Sequence, residues 1–418
     1  MKLLAISNLF PRPDQPQRGL FNVQLFKAMA EMLKKETGLR TQDTEVNRQE
    51  KGDGRRLQIV CLVPELRVWR WPGIREWKKP EVGGPDAAAG LKELDNATIY
   101  LPVFYLPLFG RSLSGFIYGL TMRALRPRVR EADVVYSTWL YPDGVAATRL
   151  ATACGKPSWI MVQGSDTFHL DHALRRSAIL EACSRAAGLV CVWKGLADRL
   201  VQAGVEAGKV HVVPNGVDVG VFHFRERAAA VGTLRVRCPL SVVRCLDASR
   251  IVLFVANLVA VKGPDILLQA WQHLLFGAPA LRHSDAPTLI LIGDGPMRSA
   301  LEKQTHDLGV ADTVMFLGGR PHEEVALWMN AADCLCLASR SEGMPNVVLE
   351  AVASGLPVVA AGVGAATEIL ADEPGARVVP LDGATTDPLP VRLAAALADL
   401  LAAPIDRKAM AERHGGRY

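Results

Sequence analysis

Two carboxylates separated by seven residues, Glu342 and Glu350, lie in the run SRSEGMPNVVLEAVASGLPVV, residues 339–359. Glu350 sits among Val347, Val348, Leu349, Ala351, Val352 and Ala353, and a helix that is apolar on nearly all sides is a buried one. A carboxylate there needs hydrogen-bond donors or costs several kcal/mol. No Lys or Arg lies within a helical turn of it. Two readings stay open. Glu350 is paired with a distant arginine in a capped core helix, or it accepts from a ligand, for which the vicinal hydroxyls of a ribose are suited. Pro345 and Asn346 open the helix, and the free N–H groups of a helix start make an anion site. Gly343, next to Met344, lets backbone approach a ligand closely. Ser354–Gly355 then stops the helix, and a strand follows Pro357.

A cation is available in VANLVAVKGPDILLQAW, residues 255–271, which reads as strand, loop and helix. Pro264 occupies a first helical position, so Lys262 projects near a helix N-terminus, a favourable place to hold a diphosphate. A solvated surface lysine is the plain alternative. The turn GDGP, with Gly293 and Gly295, follows another strand, where open α/β sheets bind ligands, although it also serves as an ordinary tight turn.

The segment SEGMPNVVLEAVASGLPVVA resembles the paired-glutamate motif of retaining glycosyltransferases of family 4, whose GT-B fold sets two Rossmann-like domains with parallel sheets facing across a cleft. The similarity runs from Leu4 to about Arg377. It implies that Lys262 and Glu342 are catalytic, that Glu350 holds a ribose, and that Glu342 holds a sugar hydroxyl. It also implies that Gly319 and Arg320 of FLGGRPHEEV lie near the nucleobase, beside Gly293 and Gly295. Gly19 is implied to touch the donor phosphate through its N–H, an ordinary flexible loop being the alternative. Family members commonly carry Gly-Arg where Ala256–Asn257 stand here. Asn257 donates a hydrogen bond without a charge, and it resembles a subgroup linked to cell-surface polysaccharides. Gly164–Ser165–Asp166 matches a signature near acceptor and sugar, and Asp166 is carried over as catalytic. Gln163 replaces a frequent histidine, so no catalytic His follows. PNGVD, residues 214–218, ends the first domain and is also simple turn chemistry.

The 418 residues suffice for two domains with sizeable cores. A net charge of +5 permits anionic partners without calling for nucleic acid. There are 8 cysteines and no C-x-x-C pair, and Cys61, Cys154, Cys191, Cys334 and Cys336 lie in apolar runs. Buried thiols in a reducing cytoplasm are expected, rather than disulfides or zinc. His169, Asp171 and His172 fit no dependable zinc spacing. With no Asp-x-Asp motif, the expected reaction uses no metal and no cofactor beyond its nucleotide-sugar co-substrate. MKLLAISNLFP is too soon broken for a signal peptide, and no apolar run approaches a membrane span. The expected location is the cytoplasm, at the inner face of the membrane if Leu113–Arg130 acts as a basic amphipathic helix. Packing of that helix on its own sheet is the alternative.

Apolar strand-like runs alternate with helical ones throughout, predicting parallel sheets covered by helices. The expected organisation is an acceptor-binding domain over 1–220, a hinge over 221–250 where no period is clear, and a nucleotide-sugar-binding domain over 251–418. Glu36–Arg56 and Lys78–Gly90 read as surface insertions. Family members usually continue into a helix that crosses back to the first domain. The chain stops at Tyr418, so that helix is expected to be missing and the interdomain angle variable. The combined expectation is sugar transfer from a UDP- or GDP-sugar to a polysaccharide or lipid-linked glycan acceptor. The alternatives are a GT-B nucleotide-sugar 2-epimerase and a non-catalytic sugar-binding scaffold.

Overall fold

The computed structural model describes residues 1–8, 20–35, 57–65, 98–104, 112–237, 246, 250–277, 287–381 and 387–414. Two compact units are present, Met1–Val213 and Pro214–Tyr418. The chain has the GT-B fold, with a parallel Rossmann-like sheet in each unit.

Among the described residues the first unit has seven strands: β1 (Leu3–Ser7), β2 (Leu57–Glu65), β3 (Thr98–Phe104), β4 (Val134–Ser137), β5 (Ser158–Val162), β6 (Gly188–Cys191) and β7 (Val210–Val212). They lie parallel in the order β3-β2-β1-β4-β5-β6-β7. The second unit has β8 (Ile251–Val255), β9 (Thr288–Ile292), β10 (Val314–Gly318), β11 (Cys334–Leu337), β12 (Val358–Ala361) and β13 (Ala376–Val379), parallel in the order β10-β9-β8-β11-β12-β13. Both sheets are covered by helices, which is why their strands read as continuous apolar runs. In each, the order reverses beside the first strand, between β1 and β4 and between β8 and β11. Ligands of open α/β sheets bind outside the carboxyl ends of the strands at such a point.

Leu113–Arg130 packs on its own sheet. Tyr118, Met122, Leu125 and Val129 recur at three- and four-residue spacing and are buried against Leu62 and Val103. It is not one helix. Ser114–Met122 passes through a tight turn at Arg123–Leu125 into Arg126–Glu131, where Pro127 suits a new first turn. In the second unit Leu267, Leu268, Trp271 and Leu274 of helix Pro264–Gly277 pack with Leu393, Leu397 and Leu400 of helix Leu389–Ala402.

The expected hinge over 221–250 needs correction. Arg227–Arg237 is a helix burying Ala230 and Leu234. Arg227 lies 2.9 Å from Asp333, the Arg225 N–H donates to the Asn330 side chain, and Asn330 donates to the His223 carbonyl. These bonds fix 223–237 to the second unit, so the boundary is at 213/214, ahead of 220. Its many arginines and alanines concealed a short apolar face. Helix Ala173–Arg185 begins with ALRRS, which carries little apolar signal. Gly19, the proposed insertions Glu36–Arg56 and Lys78–Gly90, residues 238–245 and 247–249 of the expected hinge, and the chain end 415–418 lie outside the described residues.

Helix Arg407–His414 closes the second unit. Arg407 donates to the carbonyls of Met329, Asn330, Ala332 and Gly355, the carboxyl-terminal ends of two helices. Burial lowers its guanidinium to about 10. The six described cysteines are free thiols, five of them buried, and burial pushes Cys336 up to about 12. Among the described residues no helix is long and apolar enough to cross a membrane.

Candidate functional site

In the second unit the candidate residues leave the carboxyl ends of four strands. Asn257 and Lys262 follow β8, Gly293 and Gly295 follow β9, Gly319 and Arg320 follow β10, and Glu342–Asn346 follow β11. The loops are bonded to one another. Leu258 N–H donates to the Asp294 carbonyl, Met297 N–H to the Leu258 carbonyl, and Gly293 N–H to the Gly318 carbonyl. Gly293 has φ 134°, and a Cβ there would stand 1.9 Å from the Ala256 carbonyl oxygen. Only glycine allows the loops after β8 and β9 to meet this closely.

Lys262 ends a short 3₁₀ turn, and Gly263 after it is left-handed with φ 65°. A Cβ on Gly263 would stand 1.9 Å from the Ala338 carbonyl oxygen, so glycine is required where the loop after β8 crosses the end of β11. The crossing brings the ammonium of Lys262 to 2.8 Å from both carboxylate oxygens of Glu342. Ser339 donates its hydroxyl to the same carboxylate at 2.6 Å. Arg340 ties the two loops: its N–H donates to the Val261 carbonyl, and its guanidinium holds Asp265 by two bonds of 2.9 and 2.6 Å. Those bonds keep the Asp265 carboxyl below its ordinary range. Ser339, Arg340 and Asp265 were not foreseen. The only available signal was an acid in the first helical turn after Lys262 and a base two residues before Glu342.

The helix Asn346–Ala353 starts after Pro345 with no side-chain cap and no acid in its first turn. Its first N–H groups therefore lack intrahelical acceptors at the positive end of the helix dipole. The side chain of Asn215, from the PNGVD turn, donates to the Asn346 side chain at 2.8 Å. That turn belongs to the second unit and supports the start of this helix. Ala365 N–H donates to the Gly343 carbonyl and supports the loop from the β12 side.

Glu350 is one helical turn farther on. Among the described residues its carboxylate has no hydrogen-bond donor, and burial raises it from 4.5 to about 7. The reading in which it pairs with a distant arginine is therefore not the arrangement found. Arg320, in the loop ahead of helix His322–Ala331, lies 3.5 Å from Glu324 in the first turn of that helix.

Asp166 belongs to the first unit, in the turn Ser165–Asp171 after β5. It has no exposed surface, and burial raises its carboxyl to about 6. It accepts N–H bonds from Leu140, Gln163 and Gly164, joining the loops after β4 and β5. Gln163 donates to the Thr138 carbonyl at 2.8 Å and to Asn22 at 3.4 Å. Thr138 in turn donates to Ser7 at 2.6 Å. This polar net ties β1, β4, β5 and helix Leu20–Lys35 together. Asp171 pairs with Arg199, and the His169 ring is 3.1 Å from Arg175, so these residues do not converge. Among the described residues no group of three or more His, Cys, Asp or Glu could hold a metal ion.

Two family models match the chain in tandem: "Glycosyltransferase Family 4" over residues 81–221 and "Glycosyl transferases group 1" over 246–415. A D-inositol 3-phosphate glycosyltransferase of Segniliparus rotundus is 34% identical over 53% of this chain and 49% of its own. TuaC of Bacillus subtilis, named as a glycosyltransferase of teichuronic acid biosynthesis, is 27% identical over 60% of this chain and 59% of its own. The chain spans about half the length of the curated relatives it matches. Anabaena HepE, solved in complex with UDP, superposes with a TM-score of 0.63 at 16% identity, covering 99% of this chain and 98% of HepE. A sucrose-phosphate synthase of Thermosynechococcus elongatus gives 0.65 at 17% identity, covering 100% of this chain and 92% of the synthase.

Proposed function

The chain belongs to glycosyltransferase family 4, and on that premise we propose that it moves a sugar from a UDP- or GDP-sugar to a polysaccharide or lipid-linked acceptor, with retention. The observation that carries the donor reading is Glu350, a half-buried carboxylate raised to about 7 beside a helix start with no cap. Ribose hydroxyls supply the donors that Glu350 needs, and the diphosphate lies between the helix start and Lys262. Solved neighbours bind UDP and UDP-glucose, which fits. The relatives named above are glycosyltransferases, which does not favour the epimerase, and a scaffold does not need the Lys262–Glu342 pair.

As the glycosidic bond breaks, negative charge grows on the diphosphate. The Lys262 ammonium and the dipole of Asn346–Ala353 oppose it where water is excluded. Glu342 holds a sugar hydroxyl, and the donor phosphate takes the acceptor proton. Asn257, Gly293, Gly295, Gly319, Arg320, Gly343 and Met344 line the donor. Asp166 acts by fixing the loops after β4 and β5. No metal is required, because lysine and backbone N–H groups neutralise the phosphates.

We place the enzyme at the cytoplasmic face of the membrane. Leu113, Phe116 and Leu120 are 55%, 59% and 40% exposed in one row on the outer face of Ser114–Met122 and its entry. Arg123, Arg126, Arg128 and Arg130 follow, and none has an ion-pair partner among the described residues. Apolar side chains beside a run of arginines suit an anionic bilayer. Failure to float with anionic liposomes at low salt removes this part.

Calorimetry against UDP- and GDP-sugars tests the donor. Binding that survives EDTA and is lost in Lys262→Ala is expected; unchanged affinity in Lys262→Ala, or activity abolished by EDTA, refutes the proposal. Transfer assays with a polyprenyl-linked glycan and with inositol 3-phosphate then distinguish the proposed lipid-linked acceptor from the compound in the name of the Segniliparus relative.

A further inference from the structure

We propose that Glu342 is a specificity-determining residue that makes the site prefer nucleotide sugar over spent nucleoside diphosphate, and so promotes product release. The inference rests on the donor reading above. Lys262 and Glu342 form a self-contained ion pair, with both Nζ–O distances 2.8 Å and side-chain exposures of 31% and 6%. A neutral pair offers little net attraction to an anion. A diphosphate that takes Lys262 leaves the Glu342 carboxylate nearly buried, with the Ser339 hydroxyl as its remaining donor. Removing one partner from such a pair is costly. The Arg340–Asp265 clamp and the Arg340–Val261 backbone bond hold the two loops together, so Glu342 cannot easily leave with Lys262.

The two nucleotide species differ in what they return to Glu342. A nucleotide sugar presents sugar hydroxyls, which donate to the carboxylate and replace the departing ammonium. A nucleoside diphosphate has no sugar at that position and competes with Glu342 for Lys262. Binding the donor therefore frees Lys262 for the phosphates. Once the sugar has left, Glu342 reclaims Lys262 and weakens the hold on the product. No chemistry beyond the transfer itself is involved; only the partners of one ammonium and one carboxylate exchange.

Glu342→Gln keeps the side-chain shape and an acceptor for Ser339 but removes the competing charge. Its affinity for UDP or GDP, whichever base the wild type binds, is expected to rise about fivefold or more, the upper range of a partly exposed ion pair. The preference for UDP-glucose or GDP-mannose over the bare diphosphate should fall, and inhibition by the diphosphate should strengthen. Thermal unfolding of the variant confirms that it is folded, and Glu342→Asp, which restores the charge, should recover part of the discrimination. A Glu342→Gln variant that binds the diphosphate no more tightly than the wild type overturns the inference and leaves Glu342 as a support for Lys262. Failure of the underlying reading is distinguishable: either the wild type binds no UDP or GDP species, or Lys262→Ala binds them as the wild type does. Either result overturns both.

Discussion

Each unit carries a carboxylate that burial pushes toward neutrality, and the two are served differently. Asp166, raised to about 6, accepts from three backbone N–H groups contributed by the loops after β4 and β5. Glu350, raised to about 7, has no donor among the described residues. The sheets around them have the same order up to the extra edge strand of the first unit. A buried acceptor satisfied by its own backbone fixes a loop. A half-buried one with no donor among the described residues is open to donors from a ligand. The comparison fits the proposal in which Glu350 meets the donor, and it gives Asp166 the task of fixing two loops.

The largest expected effect is on nucleotide binding. Glu350→Gln should weaken binding of the cognate nucleoside diphosphate by about 1.5–3 kcal/mol, the worth of hydrogen bonds to a charged acceptor. It should leave the unfolding temperature unchanged or higher, since an amide is cheaper to bury than a carboxylate. A clear loss of stability with unchanged affinity would break the comparison. Asp166→Asn should do the converse. One amide oxygen cannot replace two carboxylate oxygens serving three N–H donors, so at least one is left unsatisfied, at about 1–3 kcal/mol of stability. Nucleotide affinity should stay the same. Unfolding curves and calorimetry on the pair of variants test both statements.

A pH series sharpens the same contrast with a somewhat smaller effect. Glu350 has a folded pKa above its ordinary 4.5, so its protonated form carries the stability. That contribution is full below about pH 4.5 and is lost as pH rises through about 7. Ligand hydroxyls donate to the ionised form and so lower this pKa. Affinity should therefore rise between pH 5 and 8, by about tenfold for each unit of lowering. Glu350→Gln should flatten the profile. A slope of the same size in that variant would place the titrating group elsewhere.

Much of this was legible because the relevant signals are local. Continuous apolar runs mark the alternation of strands and helices in both units, as expected for sheets covered on both faces. The apolar surroundings of Glu350 mark a carboxylate in need of donors, and leave open whether an arginine or a ligand supplies them. Long-range facts were not legible. Arg340 and Asp265 are 75 residues apart, and nothing in either segment indicates that they hold Lys262 against Glu342. Arg227–Arg237 was read as a linker because its apolar side is only Ala230 and Leu234, too narrow for periodicity to show. Asp166 matched a signature, but its three backbone partners lie on two loops whose meeting depends on strand order.

Asn215 gives the smallest expected effect and the finest test. The sequence PNGVD accounts for itself as a turn, and a turn predicts that Asn215 matters only for backbone conformation. Its side chain instead donates to Asn346 at 2.8 Å, across 131 residues, at the first position of the helix that the donor phosphates are proposed to meet. Among the described residues no other side chain bonds to that of Asn346, so the bond orients the helix entrance. A neutral hydrogen bond of this kind contributes about 0.5–1.5 kcal/mol. Asn215→Ala should therefore weaken nucleotide binding by about threefold, within the range that figure allows. Asn215→Gly separates the two roles, because it keeps the turn's conformational freedom while removing the side chain. Equal losses in the Ala and Gly variants assign the effect to the bond with Asn346. A loss confined to Ala assigns it to the turn, and the support of the helix start would then have to come from the Gly343–Ala365 backbone bond alone.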